Sequence, residues 1–318
     1  MELLIPPPDA IPFGLRALKA IAVADGRFDA SERDLLRTML RLFGADHDLD
    51  ALPPIEPDEL AREIRDPALR RQLVRGMIIL SIIDGEASPA EAALVERYAA
   101  ALGVGGSDLT ALRHLAEGRL LVARFDIARR FFAREKMVEM AKQKGLRWLG
   151  RTLAVMAGVA EDAGMAAPYR ALGDAPEGSL GRAYHDFVVR NQFSFPGEKG
   201  APPEAVVFHD LTHVLSGYDT DPAGEMLVLA FHAGCRREEN DPFSFLLFGI
   251  AEFHLGLGMS PVASSTKGMF DPPKVLRALA RGRGCAIDPT KGWDPWPVMH
   301  RPLDELRREY GIAPLDAD

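Results

Sequence analysis

Cysteine is nearly missing from this chain: 318 residues contain two, Cys235 and Cys285. They form no disulfide framework, so a reducing compartment fits and the cytoplasm is the expected location. Long apolar runs are missing too. Met77 to Ile83 is far short of the roughly 20 residues that cross a bilayer. The opening Met1-Glu2-Leu3-Leu4-Ile5 runs into Pro6-Pro7-Pro8 and shows no secretory signal. Positive charge is in deficit, and a net charge of −8 argues against nucleic acid as a general partner. Clear strand alternation is absent, whereas periods near 3.6 recur throughout. The expectation is an all-α protein, with length enough for two domains.

The first half contains a repeat. Asp25-Gly26-Arg27-Phe28-Asp29-Ala30-Ser31-Glu32 returns as Asp84-Gly85-Glu86-Ala87-Ser88-Pro89-Ala90-Glu91. Each copy follows an apolar helical run (Leu15, Leu18, Ile21, Ala22; then Leu73, Met77, Leu80). Each precedes another (Leu35, Leu36, Met39, Leu40; then Leu94, Val95, Tyr98). The unit is therefore helix, Asp-Gly turn, helix. Asp29-x-x-Glu32 and Ser88-x-x-Glu91 have capping-box spacing, and Pro89 sits where a first-turn proline is tolerated. Gly26 and Gly85 suit left-handed helix ends. These acids are expected to cap helices rather than to bind a second metal. No Asp-x-Asp-x-Asp-Gly loop is present, so an EF-hand is excluded. From about residue 9 to 117 the repeat resembles the TerB (tellurite-resistance B) domain. That resemblance implies a small helical interaction module, often linked to membrane-associated stress systems, and implies no reaction.

Charge reverses between Arg119 and Arg151, where ten Lys or Arg face only Asp126, Glu135 and Glu139. Phe125, Phe131, Phe132, Met137, Leu146 and Trp148 are interleaved with the cations. Such a stretch reads as a connecting helix for a membrane surface or an acidic partner, or as a solvated helix with its aromatics packed inward. The expected division is residues 1–118 and 119–318, with 119–151 as the basic connector and the boundary near Gly105 to Leu121.

The second half carries the chemistry. In His209-Asp210-Leu211-Thr212-His213, positions four apart share a helix face, and Asp210 and His213, three apart, are also neighbours. Glu225 follows twelve residues after His213, beyond the turn formers Ser216 to Gly224. A new helix starting near Asp221 or Pro222 can bring Glu225 back over the first. Apolar neighbours (Val206, Val207, Phe208; Met226, Leu227, Val228, Leu229) surround both groups, and ionisable residues in such company are rarely buried unless paired or metal-bound. His209, Asp210, His213 and Glu225 are therefore the candidate ligands of a divalent metal, a set that suits zinc and also manganese or ferrous iron. His232, two turns beyond Glu225, is a candidate catalytic proton donor or support for the ligands, or else a satisfied core histidine. The run Pro242 to Met259 is apolar nearly all round and forms either plain core or the wall of an apolar cavity.

His-Asp-x-x-His, eleven residues, then Glu resembles the metal signature of the coenzyme Q biosynthesis family Coq-four. Pro176 to Tyr184 with Phe187 is similar to that family's stretch upstream of the motif, and Trp296 to Ile312 to its C-terminal tail. The resemblance spans roughly residues 145 to 312. It implies zinc, a prenylated quinone precursor held partly by Phe245, Phe248 and Phe253, and decarboxylation or oxidative decarboxylation at C1 of a prenylated hydroxybenzoate. It also implies a peripheral position at the inner membrane and contacts with other quinone-biosynthesis enzymes; a homo-oligomer is compatible with it. Two other readings stand beside it: a non-catalytic lipid-binding scaffold with a structural metal, and a metal-dependent phosphohydrolase, for which His185, His232 and His254 give no defensible spacing.

Overall fold

A computed structural model describes residues 4–130, 132–236, 241–259 and 265–315. Among these residues the chain is all-helical, without a strand; two isolated bridges, Ser179 with Pro302 and Leu255 with Lys267, are the extended pairings. By tertiary contact the chain divides into two compact units. One is Glu2–Arg129 with Leu246–Arg277; the other is Arg130–Phe245 with Ala278–Asp318.

In the first unit the repeat is visible as structure. Helices Ile11–Ala22 and Ala30–Leu42 flank one Asp-Gly turn; Pro67–Leu80 and Pro89–Leu102 flank the other. Their apolar stripes face inward, burying Leu15, Leu18, Ile21, Leu35, Leu36, Met77, Leu80, Val95 and Tyr98. Both turns are built alike. Gly26 and Gly85 take the left-handed conformation (φ +89° and +97°) that a Cβ would resist. Asp25 Oδ1 accepts from Arg27 N at 2.8 Å and Asp84 Oδ1 from Glu86 N at 3.0 Å. The helices after them begin differently. The first copy has its capping box, with Asp29 N donating to Glu32 Oε2 at 2.7 Å. In the second copy Ser88 makes no side-chain cap bond.

Leu246–Arg277 contributes a π-helical turn, Ile250–His254, to this unit. His254 is a satisfied core histidine there: its Nε2 donates to the Ile83 carbonyl (2.7 Å) and its Nδ1 accepts from Phe270 N (3.2 Å). Of the basic connector, Phe131 and the side chains of Arg129, Arg130, Phe132, Arg134, Lys136, Met137 and Leu146 lie outside the described residues. Helix Leu120–Arg130 ends the first unit, and Phe132–Met156, interrupted at Gly145 (φ +84°), opens the second.

The second unit packs helices Leu180–Arg190, Val207–Ser216 and Pro222–Cys235 around one apolar core. Tyr184, Phe187, Leu211, Leu215, Phe231 and the tail residues Met299, Leu306, Tyr310 and Ile312 belong to it. Two glycines let the Pro222–Cys235 helix touch backbone directly. A Cβ on Gly234 would strike the Leu279 carbonyl and Arg283 N, and one on Gly282 would strike the Phe231 carbonyl.

Candidate metal centre

His209 and His213 lie on the Val207–Ser216 helix, one turn apart. Gly217 ends that helix in the left-handed conformation (φ +82°), and its N–H returns to the His213 carbonyl at 2.8 Å. The next helix starts at Pro222, where the sequence placed it, with Asp221 as N-cap accepting from Gly224 N at 2.7 Å. The turn between them is tight enough that a Cβ on Gly224 would collide with the Asp219 carbonyl. That geometry drops Glu225, in the first turn of its helix, onto the histidine pair.

Three side chains converge. His209 Nε2 is 3.0 Å from Glu225 Oε2, His213 Nε2 is 3.3 Å from Glu225 Oε1, and the two Nε2 atoms are 3.3 Å apart. One ligand atom from each lies within 4.8 Å of the others, the metal-ligand cluster found among the described residues. Bonds of roughly 2.0–2.1 Å set tetrahedral ligand atoms about 3.3 Å apart and octahedral neighbours about 3.0 Å apart. The observed spacings are those edges, so the residues present fit a divalent ion. Chemistry agrees with geometry, because two imidazoles and one carboxylate suit zinc, manganese or ferrous iron. His213 is buried, whereas His209 and Glu225 are partly open to solvent.

Asp210 does not join this cluster. Consecutive residues point about 100° apart on a helix, so with His209 and His213 stacked on one face Asp210 leaves it. Burial pushes its carboxyl up to about 6, against the pull of His209 and His213. For Glu225, burial is outweighed by the two imidazoles, which hold its carboxyl well below the usual range. Burial opposes charge on His209, but Glu225 beside it wins and raises the imidazole.

His232 lies behind the triad, fully buried, its ring stacked over His209 at 5.7 Å and near Phe208 and Phe245, both at 5.3 Å. Neither ring nitrogen has a hydrogen-bond partner among the described residues. Burial, then the positive charge of His209 and His213, hold His232 well below its ordinary value. The Tyr184 hydroxyl, close enough to feel Asp210, is likewise buried without a partner. Of the three phenylalanines expected to line a lipid site, Phe245 lies beside His232 and under the Arg236 guanidinium (5.6 Å). Phe248 and Phe253 are buried in the other unit.

Several residues that hold the site carry no sequence signal of their own. Tyr218 accepts from His213 Nδ1 through its backbone carbonyl at 3.1 Å, so its side-chain type says nothing. Arg307 donates to the Val214 and Leu215 carbonyls (2.9 and 3.0 Å), and Arg281 to that of Ser216 (2.9 Å). Together with Gly217 N they satisfy the last four carbonyls of the histidine-bearing helix.

A second group of acids occupies the first unit. Glu91 turns inward beside the Glu32 carboxyl; both are buried. Burial comes first, and the neighbouring carboxylates add to it. Glu32 is raised to about 7 and Glu91 to about 8. A helix–turn–helix unit with an inward acid at each copy is now in view. Residues 55–114 match the family model of tellurite resistance protein TerB. The TerB match covers the second copy and the helices beside it, Pro57–Glu63 and Ser107–Ala116. No curated protein matches the chain. The chemistry of the second unit therefore rests on its own residues, outside the TerB region.

Proposed function

We propose that the chain is a divalent-metal protein of quinone biosynthesis, with His209, His213 and Glu225 as ligands and a prenylated hydroxybenzoate as substrate. The observation that carries this reading is the mutual spacing of the three ligand atoms at coordination-edge distances. The stretches that carry the Coq-four resemblance meet in the fold. The three stretches, separated by long sequence, are bonded to one another. Leu180 N donates to the Arg301 carbonyl (3.0 Å), Gly181 N to that of Met299 (2.8 Å) and Leu303 N to that of Gly178 (2.9 Å), while Arg307 caps the histidine helix.

Bound there, zinc supplies Lewis-acid chemistry to a substrate oxygen. The chain's residues do the rest. Glu225 and the histidines fix the site at the half-open edge of the unit. His232, kept neutral by burial, offers one N–H and one lone pair to a substrate polar atom. Phe245 and Phe208 beside it exclude water. The reaction would break the bond between C1 and the carboxyl group, release CO₂ and deliver a proton to C1. An oxidative version would need O₂ and a redox-active ion or outside oxidant, since zinc has no redox chemistry. The TerB unit would localise the enzyme to a membrane-associated assembly.

The test is turnover of a prenylated 4-hydroxybenzoate by metal-loaded wild type and by Glu225→Gln, with elemental analysis of both. CO₂ release by wild type alone supports the enzyme. Stoichiometric metal and bound lipid without turnover in either protein give the scaffold reading instead. Absence of any divalent metal from wild type removes the proposal.

A further inference from the structure

Helix Leu120–Arg130 has apolar residues on both sides. Ala123, Asp126 and Ile127 face inward and are buried. The opposite face presents Leu121, 79% exposed, and Phe125, 71% exposed, four residues apart and hence one above the other. Leu120 and Val122 beside them are also exposed. Large apolar side chains grouped on a surface mark an interaction site, whereas single ones do not. The charges are sorted the same way. Arg119 and Arg124 are exposed, Arg119 also touching Glu117 (3.3 Å), while Asp126, the acid within this helix, points inward. In sequence the stretch Arg119 to Arg151 is +7 in a chain of −8, so the remaining surface is net acidic.

We infer that this face seats on an anionic lipid surface, with Leu121 and Phe125 entering the acyl boundary and Arg119 and Arg124 at the headgroups. An apolar face flanked by cations is what an interfacial helix needs. A second copy of the chain fits less well, because a two-fold contact through this face would set arginine against arginine. The proposal goes beyond the metal reading and does not depend on it.

The test is flotation of the full chain with phosphatidylcholine vesicles, with and without phosphatidylglycerol. Expected are binding to the anionic vesicles only, weakening with salt, and a loss of about tenfold or more in Leu121→Ser/Phe125→Ser. Arg119→Glu/Arg124→Glu, which leaves the apolar pair intact, should lose binding as well; it guards against misfolding of the first variant, as does unchanged circular dichroism. Any of three results overturns the proposal: no flotation of wild type with anionic vesicles, equal flotation of wild type and both variants, or a wild-type dimer that Leu121→Ser/Phe125→Ser makes monomeric without vesicle binding.

Discussion

His213 Nδ1 lies 3.1 Å from the backbone carbonyl oxygen of Tyr218. A carbonyl only accepts, so Nδ1 carries the proton and Nε2 is turned toward Glu225 and His209. Nε2 then faces Glu225 Oε1 at 3.3 Å, where the two can share a proton or a cation. The backbone turn after the helix thus prepares the histidine for a metal.

Zinc added to metal-free protein is expected to raise the thermal midpoint. At a free concentration a hundredfold above Kd the gain is about 2.7 kcal/mol. His213→Ala and Glu225→Gln should each abolish it, and Asp210→Asn should keep most of it. Calorimetry across a zinc titration checks this; an undiminished shift in Glu225→Gln would place the ion elsewhere.

Arg307→Ala takes charged donors from two carbonyls at the end of the histidine helix. A loss of about 2–3 kcal/mol is expected in urea unfolding, together with weaker metal binding, since His213 occupies that last turn. Arg307→Lys should recover only part, because an ammonium cannot reproduce the fork. Metal affinity unchanged in Arg307→Ala would separate the cap from the site.

The Glu32–Glu91 pair makes stability depend on pH. Both carboxyls are raised in the folded state, to about 7 and about 8, from an ordinary value of 4.5. The fold therefore holds these protons more tightly than the unfolded chain does. Their stabilising contribution is complete below about pH 4.5 and is lost as pH rises through 7 to 8. Denaturant midpoints of the wild type should fall between pH 5 and 9, and Glu91→Gln should flatten the profile. A wild-type profile already flat over that range would count against the buried pair.

Gly234→Ala should destabilise by about 1–3 kcal/mol or more, since its Cβ would enter the backbone of residues 279 and 283. Gly150→Ala, a helical position with open space around it, should be neutral or gain up to about 1 kcal/mol. Equal effects of the two in thermal unfolding would refute the close helix contact.

Much of the fold could be read from spacing because it depends on local periodicity. The repeat, its Asp-Gly turns, the break after Ser216 and the helix start at Pro222 each follow from residues within one or two turns of each other. The site was half legible. His209 and His213 are one turn apart, and that spacing alone puts them on one face. Glu225 needed only a short helix-helix turn. Asp210 separates from them because the helical twist, which adjacency in sequence hides, turns it aside. Glu91 has capping-box spacing yet packs against Glu32, a contact across 59 residues that no local pattern contains.

By itself the sequence determined the helical class, the repeat and the imidazole pair, because helical periodicity and turn chemistry act over a few residues. Only the tertiary structure decided that Glu225 completes the triad without Asp210 and that Arg307 and Arg281 close the end of its helix. It also decided that His232 is buried behind the triad and that Leu121 and Phe125 face outward. Each of those outcomes depends on which distant segment arrives to satisfy a carbonyl, exclude water or leave a face uncovered, and that is settled by packing of the whole chain.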